Sequence, residues 1–231
     1  MFLLGIIAAL PHEIESLSER MESVREETVG GIRFVCGRIG NTEMACAVCG
    51  VGKVHAAMCA EAMIIRYTPS LIINTGAGGT LTDELSVGDI AVATAVCQHD
   101  MDTSALGDEV GMISGPDLVY FETDKVLSDK IARLAADAGC RVVRGVIATG
   151  DRFVAADADR AMIKNTFDAV SCEMEGGAVG QVCYENGVPF AVVRAISDSA
   201  DGDAVVDYPT FAASVARRSC DILCSFALEA K

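Results

Sequence analysis

Short apolar runs alternate along this chain with segments of helical spacing, and the alternation predicts its elements. Residues 2–8 form an unbroken apolar run stopped by Pro11, as in a buried strand. Helical spacing begins near His12 and passes through Ile14, Leu17 and Met21. Residues 32–38 and 43–49 predict two strands joined by the turn-forming Ile39-Gly40-Asn41. After the turn Gly50-Val51-Gly52-Lys53 comes an Ala/Met-rich helix over 54–66, then a buried strand over 71–75. That strand is expected to end in a glycine-rich backbone turn, Gly76-Ala77-Gly78-Gly79, which could admit a small ligand. A long strand over 87–97 and a polar loop over 98–116 follow. The remainder predicts helix 125–138, strand 142–149, helix 158–167, strand 169–172, helix 175–185, strand 190–197 and helix 211–228.

No repeat or linker interrupts this order, so one domain is expected over residues 1–231. Strands alternating with helices predict the α/β class: a three-layer αβα sandwich around a central sheet, made mixed by the hairpin near residue 40.

Composition sharpens this picture. Hydrophobic residues make up 51% of the chain, aromatics only 5%, and Trp is absent. The core must therefore be built from Val, Ile, Ala, Leu and Met, which suits a sheet covered on both faces. A net charge of -15 repels phosphate backbones, which excludes nucleic acid as a favoured partner. It also argues against electrostatic capture of a multiply charged phosphate.

Most of the ten cysteines lie in apolar runs (Cys46, Cys49, Cys59, Cys183), where a thiol acts as a small hydrophobe. Cys46-Ala47-Val48-Cys49 has metal or redox spacing. It lies in a strand rather than at a helix start, and His12, His55 and His99 are scattered too widely to supply a second ligand pair. Core packing is the better reading, and no metal is expected. The first ten residues lack a basic leader, and no run approaches the roughly 20 apolar residues that span a bilayer. The pattern fits a reducing, cytoplasmic compartment with no membrane contact.

In α/β sheets, ligands bind beyond the carboxyl ends of the strands. Six such ends carry chemistry-bearing sequence: Leu10-Pro11-His12-Glu13, Gly50-Val51-Gly52-Lys53, the glycine run at 76–79, Gly150-Asp151-Arg152-Phe153, Glu173-Met174-Glu175 and Ser197-Asp198. Carboxylates at a strand-to-helix junction, as at Glu173 and Glu175, either face a ligand such as a ribose diol or cap the helix. Arg194 and Asp198 close the most apolar strand. They make either a structural ion pair or a site in which burial turns Asp198 into a proton donor. The glycine run lacks the Lys-Ser/Thr of a P-loop and the third glycine of a dinucleotide fingerprint.

Taken together, five ordered motifs resemble 5′-methylthioadenosine/S-adenosylhomocysteine nucleosidases over nearly the whole chain. They are Gly5-Ile6-Ile7-Ala8-Ala9-Leu10-Pro11-His12-Glu13, Ile72-Ile73-Asn74-Thr75-Gly76-Ala77-Gly78-Gly79, Gly150-Asp151-Arg152-Phe153, Glu173-Met174-Glu175 and Arg194-Ala195-Ile196-Ser197-Asp198. The wider superfamily holds purine nucleoside and uridine phosphorylases. The resemblance implies hydrolysis of an adenine nucleoside at its N-glycosidic bond, in methionine salvage, with 5′-deoxyadenosine as a further candidate substrate.

By position, Asp198 would be the general acid at N7 of adenine, Glu175 would bind the ribose hydroxyls, and Glu13 would take a proton from the attacking water, with Arg194 nearby. Phe153 would stack on the base, backbone groups of Val154 would read its edge, and Met174 would pack on the ribose. Leu10, Val51, Tyr208 and Phe211 would surround the sugar and its 5′ tail. Ala77, Gly79, Glu173 and Ser197 complete the implied binding set. A neighbouring subunit closing the tail pocket implies a homodimer, and no cofactor is implied.

Two departures bear on the 5′ side and the water. Ala77 stands where relatives often have Ser, and Ala105-Leu106-Gly107-Asp108 lacks the aromatic side chains often found there. Three rivals remain. A phosphorylase needs arginines for its anion, but this chain offers Glu13 and Asn74 at the corresponding places. A futalosine or aminofutalosine nucleosidase, from menaquinone biosynthesis, would use the same acids. A non-catalytic nucleoside-binding protein would not need both an acid and a base.

Overall fold

In the computed structural model, residues 2–198 and 204–230 are described; within 204–213 only the Phe211 side chain is described. The strands are β1 (Leu3–Ala8), β2 (Glu22–Val29), β3 (Ile32–Ile39), β4 (Thr42–Val48), β5 (Leu71–Thr80), β6 (Ile90–Gln98), β7 (Phe121–Glu122), β8 (Val142–Thr149), β9 (Ala169–Glu173) and β10 (Phe190–Asp198). The helices are α1 (Glu15–Ser18), α2 (Lys53–Tyr67), α3 (Lys125–Asp137), α4 (Asp157–Phe167), α5 (Gly176–Asn186) and α6 (Ala204–Glu229).

One ten-stranded mixed sheet carries the fold. Alternation along β1 divides two cores. Leu4, Ile6 and Ala8 pack with Ile131 and Leu134 of α3 and with Ile222, Leu223 and Phe226 of α6. Ile7 packs on the opposite face with Ala56, Cys59 and Met63 of α2 and with Ala178, Val179 and Cys183 of α5. Helices therefore cover both faces, which is the expected three-layer arrangement. Among the described residues no helix is long and apolar enough to cross a membrane.

The sheet is more than an open layer. β5 pairs in parallel with β10, β10 antiparallel with β6, β6 in parallel with β8, and β8 in parallel with β9. β9 then returns antiparallel to the far end of β5 through Gly79 and Thr80. These five strands close a ring, while β1, β4, β3 and β2 extend as a sheet from its side.

The elements depart from the expected ones in several places. The glycine run 76–79 is not a turn: β5 continues through Thr80, because β10 pairs with it from Ile72 to Gly79. The helix expected through Met21 reduces to a 3-10 turn, Pro11–Glu13, and the single turn α1. β2 lacks any apolar alternation, being exposed at most positions. It is a strand because its backbone completes the edge of β3. β6 begins at Ile90 rather than 87, since Asp89 accepts the Ser86 N–H and Gly88 turns the chain at φ +93°. The last helix starts at Ala204, before the expected Phe211.

The cysteines behave as packing residues. All ten are free thiols, and Cys46 and Cys49 sit in different cores. Burial pushes the Cys46 thiol well above its usual range.

Candidate active site

A cavity of about 570 Å³, mouth included, opens where β1, β5, β9 and β10 end. Its wall is formed by Ala9, Leu10, Glu13, Val51, Ala77, Gly78, Gly79, Arg152, Phe153, Val154, Cys172, Glu173, Met174, Glu175, Ser197 and Asp198. Its lining, apolar side chains with a few convergent polar groups, is that of a small-molecule site.

Glu13 reaches this wall from the 3-10 turn that follows β1. Its Oε2 accepts the N–H of Ala9 at 2.9 Å and of Leu10 at 2.8 Å, and its Oε1 accepts the N–H of Ala77 at 2.9 Å. Below it, the Cys220 thiol donates to the Glu13 carbonyl at 3.1 Å, tying the turn to α6. Three backbone donors hold a buried carboxylate in one orientation. The glycines of β5 now have a steric reason. A Cβ on Gly76 would lie 2.7 Å from Glu13 Oε1, and one on Gly79 would lie 2.7 Å from Asp198 Oδ2. The run is glycine-rich because two carboxylates lie against a strand.

Glu173 and Glu175 divide the two roles open to a junction carboxylate. Glu173 is the cap: its Oε2 accepts the N–H of Glu175 at 3.0 Å and of Gly176 at 2.7 Å at the start of α5, and also the Arg194 guanidinium. Thr149 donates its hydroxyl to Oε1. Burial alone would push this carboxyl up. Arg194, the Thr149 hydroxyl and the two N–H groups outweigh it and hold Glu173 below the usual carboxylate range.

Glu175 accepts the Gly52 N–H at 2.9 Å, at the point where φ +97° lets the chain turn into α2. Burial, then repulsion from Glu173 and from Glu13, push its carboxyl up to about 7, against the opposing pull of Arg194 and the Gly52 N–H.

Asp198 ends β10 beside Gly79. Its Oδ1 accepts the Ser197 hydroxyl at 2.9 Å and its Oδ2 accepts Arg160 Nη2 at 3.2 Å. The Arg194–Asp198 pair that the sequence allowed does not form. Arg194 points beneath the cavity floor, donating to Glu173, to Asn74 Oδ1 and to the Val193 carbonyl. Asn74 in turn donates to the Ile7 carbonyl at 3.0 Å. The guanidinium is 1% exposed and does not reach the cavity wall.

Of the expected binding set, Leu10, Val51, Ala77, Gly79, Phe153, Val154, Glu173, Met174 and Ser197 line the cavity with the three carboxylates. Phe211 is exposed and outside the lining, and the Tyr208 side chain lies outside the described residues. Sequence reasoning placed Gly52 and Arg152 in chemistry-bearing motifs without giving them a role, and it missed Cys172 and Arg160. Arg160 left a signal: it shares the buried stripe of α4 with Ile163 and Phe167, an unusual place for a cation. Among the described residues no group of three or more His, Cys, Asp or Glu is placed to hold a metal ion.

The chain is similar to known proteins over most of its length. The family model of the Phosphorylase superfamily matches residues 3–227. A 5′-methylthioadenosine/S-adenosylhomocysteine nucleosidase from Shewanella halifaxensis is 35% identical over 209 residues, covering 90% of this chain and 91% of the relative. The crystal structure of a Neisseria meningitidis nucleosidase of the same name, in complex with methylthio-immucillin-A, superposes with a TM-score of 0.95 at 32% identity over 100% of both chains. A futalosine hydrolase from Helicobacter pylori does so with a TM-score of 0.94 at 32% identity, over 99% of this chain and 98% of that one.

Proposed function

The chain belongs to the phosphorylase superfamily as an enzyme of its nucleosidase class, and from that premise we propose that it hydrolyses the N-glycosidic bond of 5′-methylthioadenosine and S-adenosylhomocysteine. The observation that carries the choice of water is the charge on the cavity wall. Glu13, Glu175 and Asp198 line it, Arg194 is engaged beneath it, and Arg152, the cation on its rim, pairs with Asp159. A phosphate nucleophile would meet carboxylates where it needs guanidinium groups. A water molecule needs a base there, and Glu13 is one whose orientation three N–H groups fix.

The chemistry then divides among three carboxyls. Adenine leaves readily only when protonated, and Asp198 delivers that proton to N7 as the C1′–N9 bond breaks. The ribosyl group becomes cationic. Glu175, with one backbone donor and lone pairs to spare, accepts the ribose hydroxyls, and its ionised form stabilises the cation electrostatically. Water attacks C1′ while Glu13 takes its proton. Ala77 holds Glu13 through its backbone N–H, a contact that does not need the hydroxyl of a serine at that position. Phe153 and Val154 flank the base, Met174 the sugar, and Leu10 and Val51 lead toward the 5′ carbon.

A second copy of the chain closes the 5′ side in this reading. Val51, Val54 and Met58, around the start of α2, and Phe153 at the mouth are exposed apolar side chains, which supports a homodimer. The cellular setting proposed is cytoplasmic methionine salvage. Futalosine-type nucleosides are the second reading, supported by the likeness to a futalosine hydrolase. Steady-state kinetics on methylthioadenosine, S-adenosylhomocysteine and aminofutalosine test the assignment. It expects kcat/KM to be highest for one of the first two; a clear preference for aminofutalosine would replace it.

A further inference from the structure

We propose that Arg160 is a positioning residue for the acid: by stabilising the carboxylate that Asp198 becomes when it gives up its proton, it drives the departure of adenine. This rests on the reading of Asp198 as the general acid. The two side chains come from different elements, α4 and the end of β10, and meet at 3.2 Å with exposures of 6% and 3%. A buried ion pair costs desolvation on both sides, so a helix that places arginine among Ile163 and Phe167 needs a compensating partner. Asp198 is such a partner, and it also lines the cavity.

The proton inventory gives the pairing its purpose. In the reactive complex Asp198 carries a proton. It passes to N7 of the base while the C1′–N9 bonding pair moves to N9, leaving neutral adenine and an Asp198 carboxylate. Water then supplies oxygen to C1′ and a proton to Glu13. N7 of an N9-substituted adenine is a weak base, so the donor must be a strong acid for the transfer to proceed far in the transition state. A guanidinium beside the carboxylate stabilises the deprotonated form in a site of low dielectric.

The other described groups around Asp198 do not supply this charge. On β10, Ser197 donates a neutral hydroxyl. β5 brings Gly78 and Gly79. β9 brings Cys172, a neutral thiol pushed up by burial to about 12, and Glu173, which is paired with Arg194. Across the cavity stand Glu175 and Glu13. On α4 itself the nearby Asp159 is paired with Arg152.

The test is the pH profile of adenine release from methylthioadenosine for the full-length wild-type enzyme and for Arg160→Gln, Arg160→Lys and Asp198→Asn. The alkaline limb of kcat reports loss of the proton from the acid in the complex. In Arg160→Gln that limb should move up by about one pH unit or more, and the plateau kcat should fall about tenfold or more, with KM changing less. Arg160→Lys, which keeps the charge, should bring the limb back most of the way. Arg160→Met serves as a second neutral variant where glutamine at this buried position prevents folding.

A lowered kcat with an unmoved limb would reduce Arg160 to a structural residue and overturn the proposal. A neutral variant with a wild-type profile would overturn it as well. Near-normal turnover in Asp198→Asn would overturn the acid assignment and this proposal with it. An inactive Asp198→Asn beside an unmoved Arg160→Gln limb would overturn this proposal alone.

Discussion

Replacing Gly79 by alanine adds a single methyl group 2.7 Å from Asp198 Oδ2. Ordinary van der Waals contact begins near 3.4 Å, so the carboxylate must retreat by roughly 0.7 Å. The backbone at 79 is not in the left-handed region, so the strand itself accepts alanine. What resists is the Asp198 carboxylate, tied to Ser197 and Arg160. A small displacement of one side chain costs about 1–3 kcal/mol of stability. The same shift moves a proton donor off its line to N7, and misplacements of about 1 Å cost on the order of 100-fold in rate. Gly79→Ala should therefore fold, melt a few degrees lower, and show kcat for adenine release reduced roughly 10- to 100-fold, with a smaller change in KM. Thermal melting and steady-state kinetics on one preparation provide both numbers. A well-folded Gly79→Ala enzyme with wild-type kcat would refute the claim that the Asp198 carboxylate works where the structure places it.

Asp198→Asn should keep much of the substrate affinity and lose turnover by several orders of magnitude, measured by ligand titration alongside single-turnover kinetics. Glu13→Gln should bind substrate and fail to hydrolyse it; full activity would mean that water is activated elsewhere. The Glu175 carboxyl, pushed up to about 7, must be ionised to stabilise the ribosyl cation, so kcat/KM should fall as the pH drops below about 7. An activity that persists unchanged to pH 5 would contradict this role. The same shift has a stability consequence. The folded protein holds that proton more tightly than the unfolded chain, whose Glu titrates near 4.5, so stability is lost as pH rises through that window. Glu175→Gln should be inactive yet more heat-resistant than wild type at pH 8, with the advantage shrinking toward pH 5.

Much of this was legible because local signals agreed. Apolar runs ending in loaded loops located β1, β8, β9 and β10; the carboxylates that follow β1, β9 and β10 meet in one cavity, and the loop after β8 brings Phe153 to it. What failed depended on pairing between distant segments. Gly76 to Gly79 read as a turn, since nothing local says that β10 will lie alongside and that two carboxylates will press on them. Arg194 pointed toward Asp198 because residues four apart share a face in a regular strand, yet the register of β10 shifts between Ile196 and Asp198, and Arg194 turned to Glu173 instead. β2 carries almost no apolar signal because its backbone, not its side chains, pays for its place at the edge. Gly52 acts through an N–H group, which no side-chain pattern reports.

Adenine release measured with and without inorganic phosphate distinguishes water from phosphate as the nucleophile. The rate should be the same in phosphate-free buffer as at millimolar phosphate, with a free 5-alkylthioribose as the second product. Release that depends on phosphate and yields a ribose 1-phosphate would contradict hydrolysis.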